Sequence, residues 1–153
     1  MMKPFDRRRF LQALAGLGAL EIALPHTPAW AQVDVKPRFS TQPFSLGVAS
    51  GYPSPDGVVL WTRLAPEPHA PGGGMTRQAV NVTWEIAEDE GMQRIAASGS
   101  VRAESAWGHS VHAEVKGLRS ARHYWYRFRA GDAISATGRT LTAPPPGVMA
   151  KRL

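Results

Sequence analysis

The sequence predicts an all-β chain, folded as an antiparallel sandwich of about seven short strands. Three observations predict it. Gly (15) and Pro (13) are both abundant, which is too much punctuation for a helical bundle and suits short strands joined by turns. Several stretches alternate apolar and polar residues at period two, the mark of a half-buried strand. Past the N-terminal region no stretch carries convincing helical spacing. With 153 residues, 43% of them hydrophobic and 20% charged, the chain suits one soluble globular domain plus a short tail.

The elements follow in order. Residues 32–42 are polar, contain Pro37, and read as a lead-in segment. The sandwich is expected over residues 43–143. Phe44–Gly51 is the first expected strand. Pro53, Pro55 and the Asp56-Gly57 pair form the turn after it. Val58–Leu64 is β-rich. A loop with Pro66, Pro68, Pro71 and Gly72-Gly73-Gly74 leads to Val80–Ile86, where Val80, Val82, Trp84 and Ile86 share one face. After an acidic turn, Arg94–Ala103 is a weaker strand interrupted by Gly99. In Ser110–Val115 the apolar face is Val111, Ala113 and Val115. His123–Ala130 is the strongest strand, with Tyr124, Tyr126 and Phe128 on one face. Thr137–Thr142 reads as the last strand, and residues 144–153 begin as a stiff Pro-rich linker.

Seven short strands with frequent turns match an immunoglobulin-like or fibronectin-type-III-like sandwich. Leu118 precedes Tyr124 by six residues, which resembles the tyrosine corner of such domains. In that corner the Tyr hydroxyl bonds to backbone a few residues upstream. Ser120 stands where Pro is usual there.

The first 31 residues read as an address. A basic start with Arg7, Arg8 and Arg9 precedes Phe10 and Leu11. A modestly apolar stretch runs from Ala13 to Leu24, and Ala29-Trp30-Ala31 supplies small residues for cleavage before Gln32. The apolar stretch is shorter than the ~20 residues a stable membrane span needs, and Glu21 interrupts it. Adjacent arginines followed by x-Phe-Leu resemble a twin-arginine signal, with Asp6 and Gln12 departing from the usual residues. That resemblance implies recognition by the Tat translocase and a periplasmic or secreted product.

The absence of cysteine excludes disulfides, Cys-bound zinc and thiolate nucleophiles. The formal charge is +6, and residues 32–153 keep 14 basic and 10 acidic side chains. These are scattered rather than clustered, so no nucleic-acid partner is expected.

Two stretches carry a family resemblance. Phe44–Pro66 reads FSLGVASGYPSPDGVVLWTRLAP. Gly108–Pro144 contains Gly108-His109-Ser110-Val111-His112, Gly117-Leu118, Tyr124-Trp125-Tyr126-Arg127-Phe128 and Gly138-Arg139-Thr140 in order. Both resemble the N-terminal domain of the D-type alkaline phosphatase (PhoD) family. Trp61 and Arg63 fall in its V-x-L-W-T-R-L core, and Tyr52 stands where Asp is common. The resemblance implies a β-sandwich that precedes a larger metallophosphatase domain. That second domain would hold iron and calcium and would hydrolyse phosphate mono- and diesters for phosphate scavenging. Met149–Leu153 falls about where its first strand is expected, so the expectation is a non-catalytic fragment. No catalytic, cofactor or metal residue carries over to it. A separately encoded metallophosphatase domain is the partner implied. The alternative is a free-standing exported binding module using its aromatics.

Other candidate chemistry is weak. His109 and His112 lie three apart, which on a strand points them to opposite faces. Gly72-Gly73-Gly74 lacks the Lys-Ser/Thr and helix of a phosphate loop, so a flexible loop is expected. Asn81-Val82-Thr83 matches a sequon but lies in an expected strand. No Ser sits in a Gly-x-Ser-x-Gly elbow. Trp84 reads as core, and Trp61, Trp107 and Trp125 as core or inter-domain contacts.

Overall fold

The structure, a computed structural model, describes residues 37–148. The expected signal segment at residues 1–31, most of the lead-in before Pro37 and residues 149–153 lie outside the described residues. Among the described residues there are eight strands: β1 Val48–Ser54, β2 Gly57–Arg63, β3 Val80–Ala87, β4 Ile95–Ala103, β5 Ser110–Val115, β6 His123–Ala130, β7 Ala133–Ile134 and β8 Gly138–Leu141. They form two antiparallel sheets. One has the order β1-β2-β5; the other runs β4-β3-β6, with β7 and β8 both paired to β6. Order and connectivity are those of a fibronectin-type-III-like sandwich.

The core lies between the sheets because alternate residues of each strand face it. Leu60, Leu64, Val82, Ile86, Val111, Tyr124 and Phe128 are completely covered. In β6 the inward set is Tyr124, Tyr126, Phe128 and Ala130, and Tyr126 meets Phe128 edge-to-face at 6.2 Å. Full burial of each large apolar side chain contributes ~1.5–3 kcal/mol, so this one contiguous cluster dominates stability.

The first strand begins four residues later than the sequence suggests. Phe44 to Gly47 forms a turn instead, closed by Gly47 N–H to Phe44 O at 2.9 Å with Gly47 at φ 79°. The strand then continues through Pro53. Proline is tolerated there because β1 is an edge strand and its register shifts between Gly51 and Ser54.

Gly99 does not break β4. The Trp84 ring lies across it, and a Cβ there would come within 2.6 Å of the ring. Trp84 is consequently half-buried against the core rather than enclosed in it. The eighth strand is β7, a two-residue piece. Between β7 and β8, Ser135 Oγ accepts the Phe128 N–H at 2.9 Å, and Ser135 N–H donates to Phe128 O at 3.0 Å.

Candidate functional site

A cluster of hydrogen bonds gathers where β8 leaves the sandwich. The β5–β6 connection turns at Gly117, and Leu118 packs into the core cluster. Tyr124, buried at the start of β6, brings its hydroxyl back to this connection. The Arg119 N–H donates to Tyr124 Oη at 2.9 Å, which is tyrosine-corner geometry. Ser120 and Ala121 make the turn, with Ala121 at φ 52°.

Thr142, buried one residue past β8, completes the construction. Its hydroxyl donates to Arg119 O at 2.7 Å and accepts the Arg122 N–H at 3.1 Å. Ala121 N–H donates to Ala143 O, and Ala143 N–H to Ser54 O, both at 3.0 Å. Leu118 N–H reaches Asp56 O at 2.8 Å. The outgoing chain is therefore bonded to two neighbouring turns. Glu88 adds ion pairs to Arg122 at 3.3 Å and Arg119 at 3.9 Å, partly exposed and so of small energetic weight. Sequence reading found Tyr124 but missed Thr142, whose partners lie 20 and 23 residues away.

Past the corner, Pro145-Pro146-Gly147-Val148 is not an extended linker but a turn. Val148 N–H donates to Pro145 O at 3.1 Å, with Gly147 at φ 80°. Pro at the second position and Gly at the third suit a type II turn.

The other candidates fall elsewhere. Tyr126 is only 2% exposed. Burial pushes its phenol above the ordinary tyrosine range, and a hydrogen bond with Ser50 offsets part of that rise. Trp61 is half-buried on the outer face of the first sheet, between Ala49 and His112 in register. Arg63 Nε donates to Gly108 O at 2.9 Å, steadying the turn that carries Trp107, which is 76% exposed. Trp107 is thus no core residue. Trp125 lies half-buried on β6, on the face away from the core.

His109 is 3% exposed with its Nε2 3.1 Å from Gln78 O, while His112 is exposed on β5. Gly72, Gly73 and Gly74 form a folded turn rather than an open loop. Gly73 is buried against Ala65, its N–H goes to Ala70 O and its carbonyl accepts the Glu67 N–H. Those groups are spent internally and cannot cradle a phosphate.

Among the described residues no group of three His, Cys, Asp or Glu side chains could hold a metal ion. They do not fit the iron and calcium that the resemblance assigns to the phosphatase domain. The arrangement fixes the exit of β8 against the β1–β2 turn.

Residues 29–144 match the family described as PhoD-like phosphatase, N-terminal domain. The chain belongs to this family. It is 47% identical over 146 residues to alkaline phosphatase D of Bacillus subtilis (strain 168), covering 94% of this chain and 25% of that protein. A solved structure described as that of PhoD superposes with a TM-score of 0.72 at 52% identity, over 73% of this chain and 21% of that one. The sixth fibronectin type III domain of a human fibronectin type III domain containing protein matches more distantly, with a TM-score of 0.44 and 19% identity, over 68% of this chain and 88% of that one. The chain spans about a quarter of the length of the curated relative it matches.

Proposed function

We propose that this chain is the non-catalytic N-terminal module of an exported alkaline phosphatase D-type phosphomonoesterase/phosphodiesterase used in phosphate scavenging. The observation that carries the reading is the confinement of a 47% identity match to one quarter of the relative. A module of that kind positions a larger domain, and the corner at Tyr124 and Thr142 is suited to hold the connection. Ester hydrolysis in this reading belongs to the phosphatase domain, which would supply the iron and calcium. Export would run through the Tat translocase, directed by Arg7 and Arg8, to the periplasm or beyond.

The test is a replacement. This chain, substituted for the matching quarter of the Bacillus subtilis relative, is expected to leave a fusion that hydrolyses p-nitrophenyl phosphate or its bis-ester. The chain alone, supplied with iron and calcium, is expected to give no turnover above the buffer blank. Metal-dependent turnover that co-purifies with the chain alone would overturn the non-catalytic reading. A correctly folded but inactive fusion would count against the module reading.

A further inference from the structure

In β1 only Val48 and Ser54 are partly covered; Ala49, Ser50, Gly51, Tyr52 and Pro53 are all exposed. No other strand among the described residues has five exposed residues in succession. A sandwich strand ordinarily alternates, because one of its faces covers the core. Here Ser50 is exposed although its register partner Leu60 is completely buried.

Tyr52 adds a second anomaly. It is 90% exposed and sits at φ 51°, a region that disfavours a bulky residue and suits Gly, Asn or Asp. Within the described residues, strained backbone presents an aromatic ring to solvent.

A second copy pairing edge to edge does not fit this strand. Pro53 and the register shift between Gly51 and Ser54 are devices that block such pairing. The outgoing chain points to another occupant. Ala143 is bonded to Ser54, the last residue of β1, and the turn at Pro145–Val148 folds the chain back within five residues. The described chain therefore leaves the sandwich bonded to the end of β1. In the Bacillus subtilis relative about three quarters of the protein lies outside the matching region.

We infer that β1, with Tyr52 as its projecting side chain, is the docking surface for the phosphatase domain. This rests on reading the chain as an N-terminal module. The segment Val48–Ser54 carries no charged residue, so the opposing surface is apolar and hydrogen-bonding. Small residues at 49, 50 and 51 allow backbones to approach closely.

The experiment is amide hydrogen exchange on this chain alone and on its fusion to the remainder of the Bacillus subtilis relative. Exchange in Val48–Ser54 is expected to slow at least about tenfold in the fusion. High salt is expected to leave that protection in place. Gly51→Glu is the diagnostic variant, because a Cβ at Gly51 meets nothing within 4 Å and the module tolerates a side chain there. It is expected to leave the Tm of the isolated chain nearly unchanged and to return β1 in the fusion to free-chain exchange rates. Equal exchange of β1 in free and fused forms, with phosphatase activity present, would overturn the docking surface and leave the module reading standing. Should the fusion fail to fold, exchange is read in the unaltered Bacillus subtilis protein over the stretch aligned with Val48–Ser54. Protection there supports the inference, and free exchange there overturns it.

Discussion

The Thr142 hydroxyl and the Tyr124 hydroxyl hold the two sides of one residue, Arg119. Thr142 donates to its carbonyl at 2.7 Å, and Tyr124 accepts its N–H at 2.9 Å. Both side chains are almost completely buried, so removing either hydroxyl leaves a partly buried backbone group without its partner. Tyr124→Phe and Thr142→Val are each expected to lower stability by about 1–2 kcal/mol in urea unfolding. Because they share Arg119, the double variant is expected to lose less than the sum. Additive losses would show that the two hydroxyls act separately. Tyr126 lends itself to a pH test. Its phenol titrates above the ordinary value of 10.0 in the folded protein. The folded state thus favours the neutral phenol. That contribution is fully present below pH 10 and is lost as pH rises through the higher folded value. The urea midpoint is expected to fall between pH 9 and pH 11 more steeply for the parent than for Tyr126→Phe. Parallel profiles would refute the assignment.

Strands were legible in the sequence where one face is covered and opaque where neither is. β3, β5 and β6 alternate because each has an inward set against the core, and their bounds were readable to within a residue. β1 gives no such signal, since its middle is exposed on both faces and its Pro53 looks like a turn. β7 is two residues long, too short for any period, and Ser135 rather than a strand pattern bridges it to β8. The tyrosine corner could be found because Leu118 and Tyr124 are six residues apart. Thr142 could not, because its role depends on chain segments brought together only by folding. Glycine shows the same limit. Gly51 and Gly99 both lie in edge strands and look equivalent in sequence. A Cβ at Gly51 meets nothing within 4 Å, whereas one at Gly99 comes within 2.6 Å of the Trp84 ring. Gly99→Ala is expected to lower stability by ~1–3 kcal/mol through displacement of that ring. Gly51→Ala is expected to be neutral or stabilising by up to ~1 kcal/mol, through reduced freedom of the unfolded chain. Equal urea midpoints for the two variants would contradict the Trp84 packing.

At the scale of the whole molecule, a cysteine-free chain with one contiguous core needs no oxidising compartment in order to fold. It can reach its final structure in the cytoplasm, which is what transport of a folded cargo requires. The twin-arginine signal proposed for the N-terminal residues would direct such a route. Arg7 and Arg8 precede Phe10 and Leu11, and the apolar stretch from Ala13 to Leu24 carries Gly16, Gly18 and Glu21. Two variants separate this route from threading of an unfolded chain. Replacing Arg7 and Arg8 together by Lys keeps the positive charge and removes the arginine pair. It is expected to leave the full-length precursor in the cytoplasm, seen as loss of the form cleaved before Gln32. Phe128→Asp places a carboxylate in the completely buried centre of the core, an unpaired charge that the fold cannot accommodate. On a route that accepts only folded cargo, this variant is also expected to be retained, although its N-terminal 31 residues are unchanged. Export and cleavage of both variants at the parent level would remove the twin-arginine assignment. Export of Phe128→Asp alone would mean that the chain crosses unfolded.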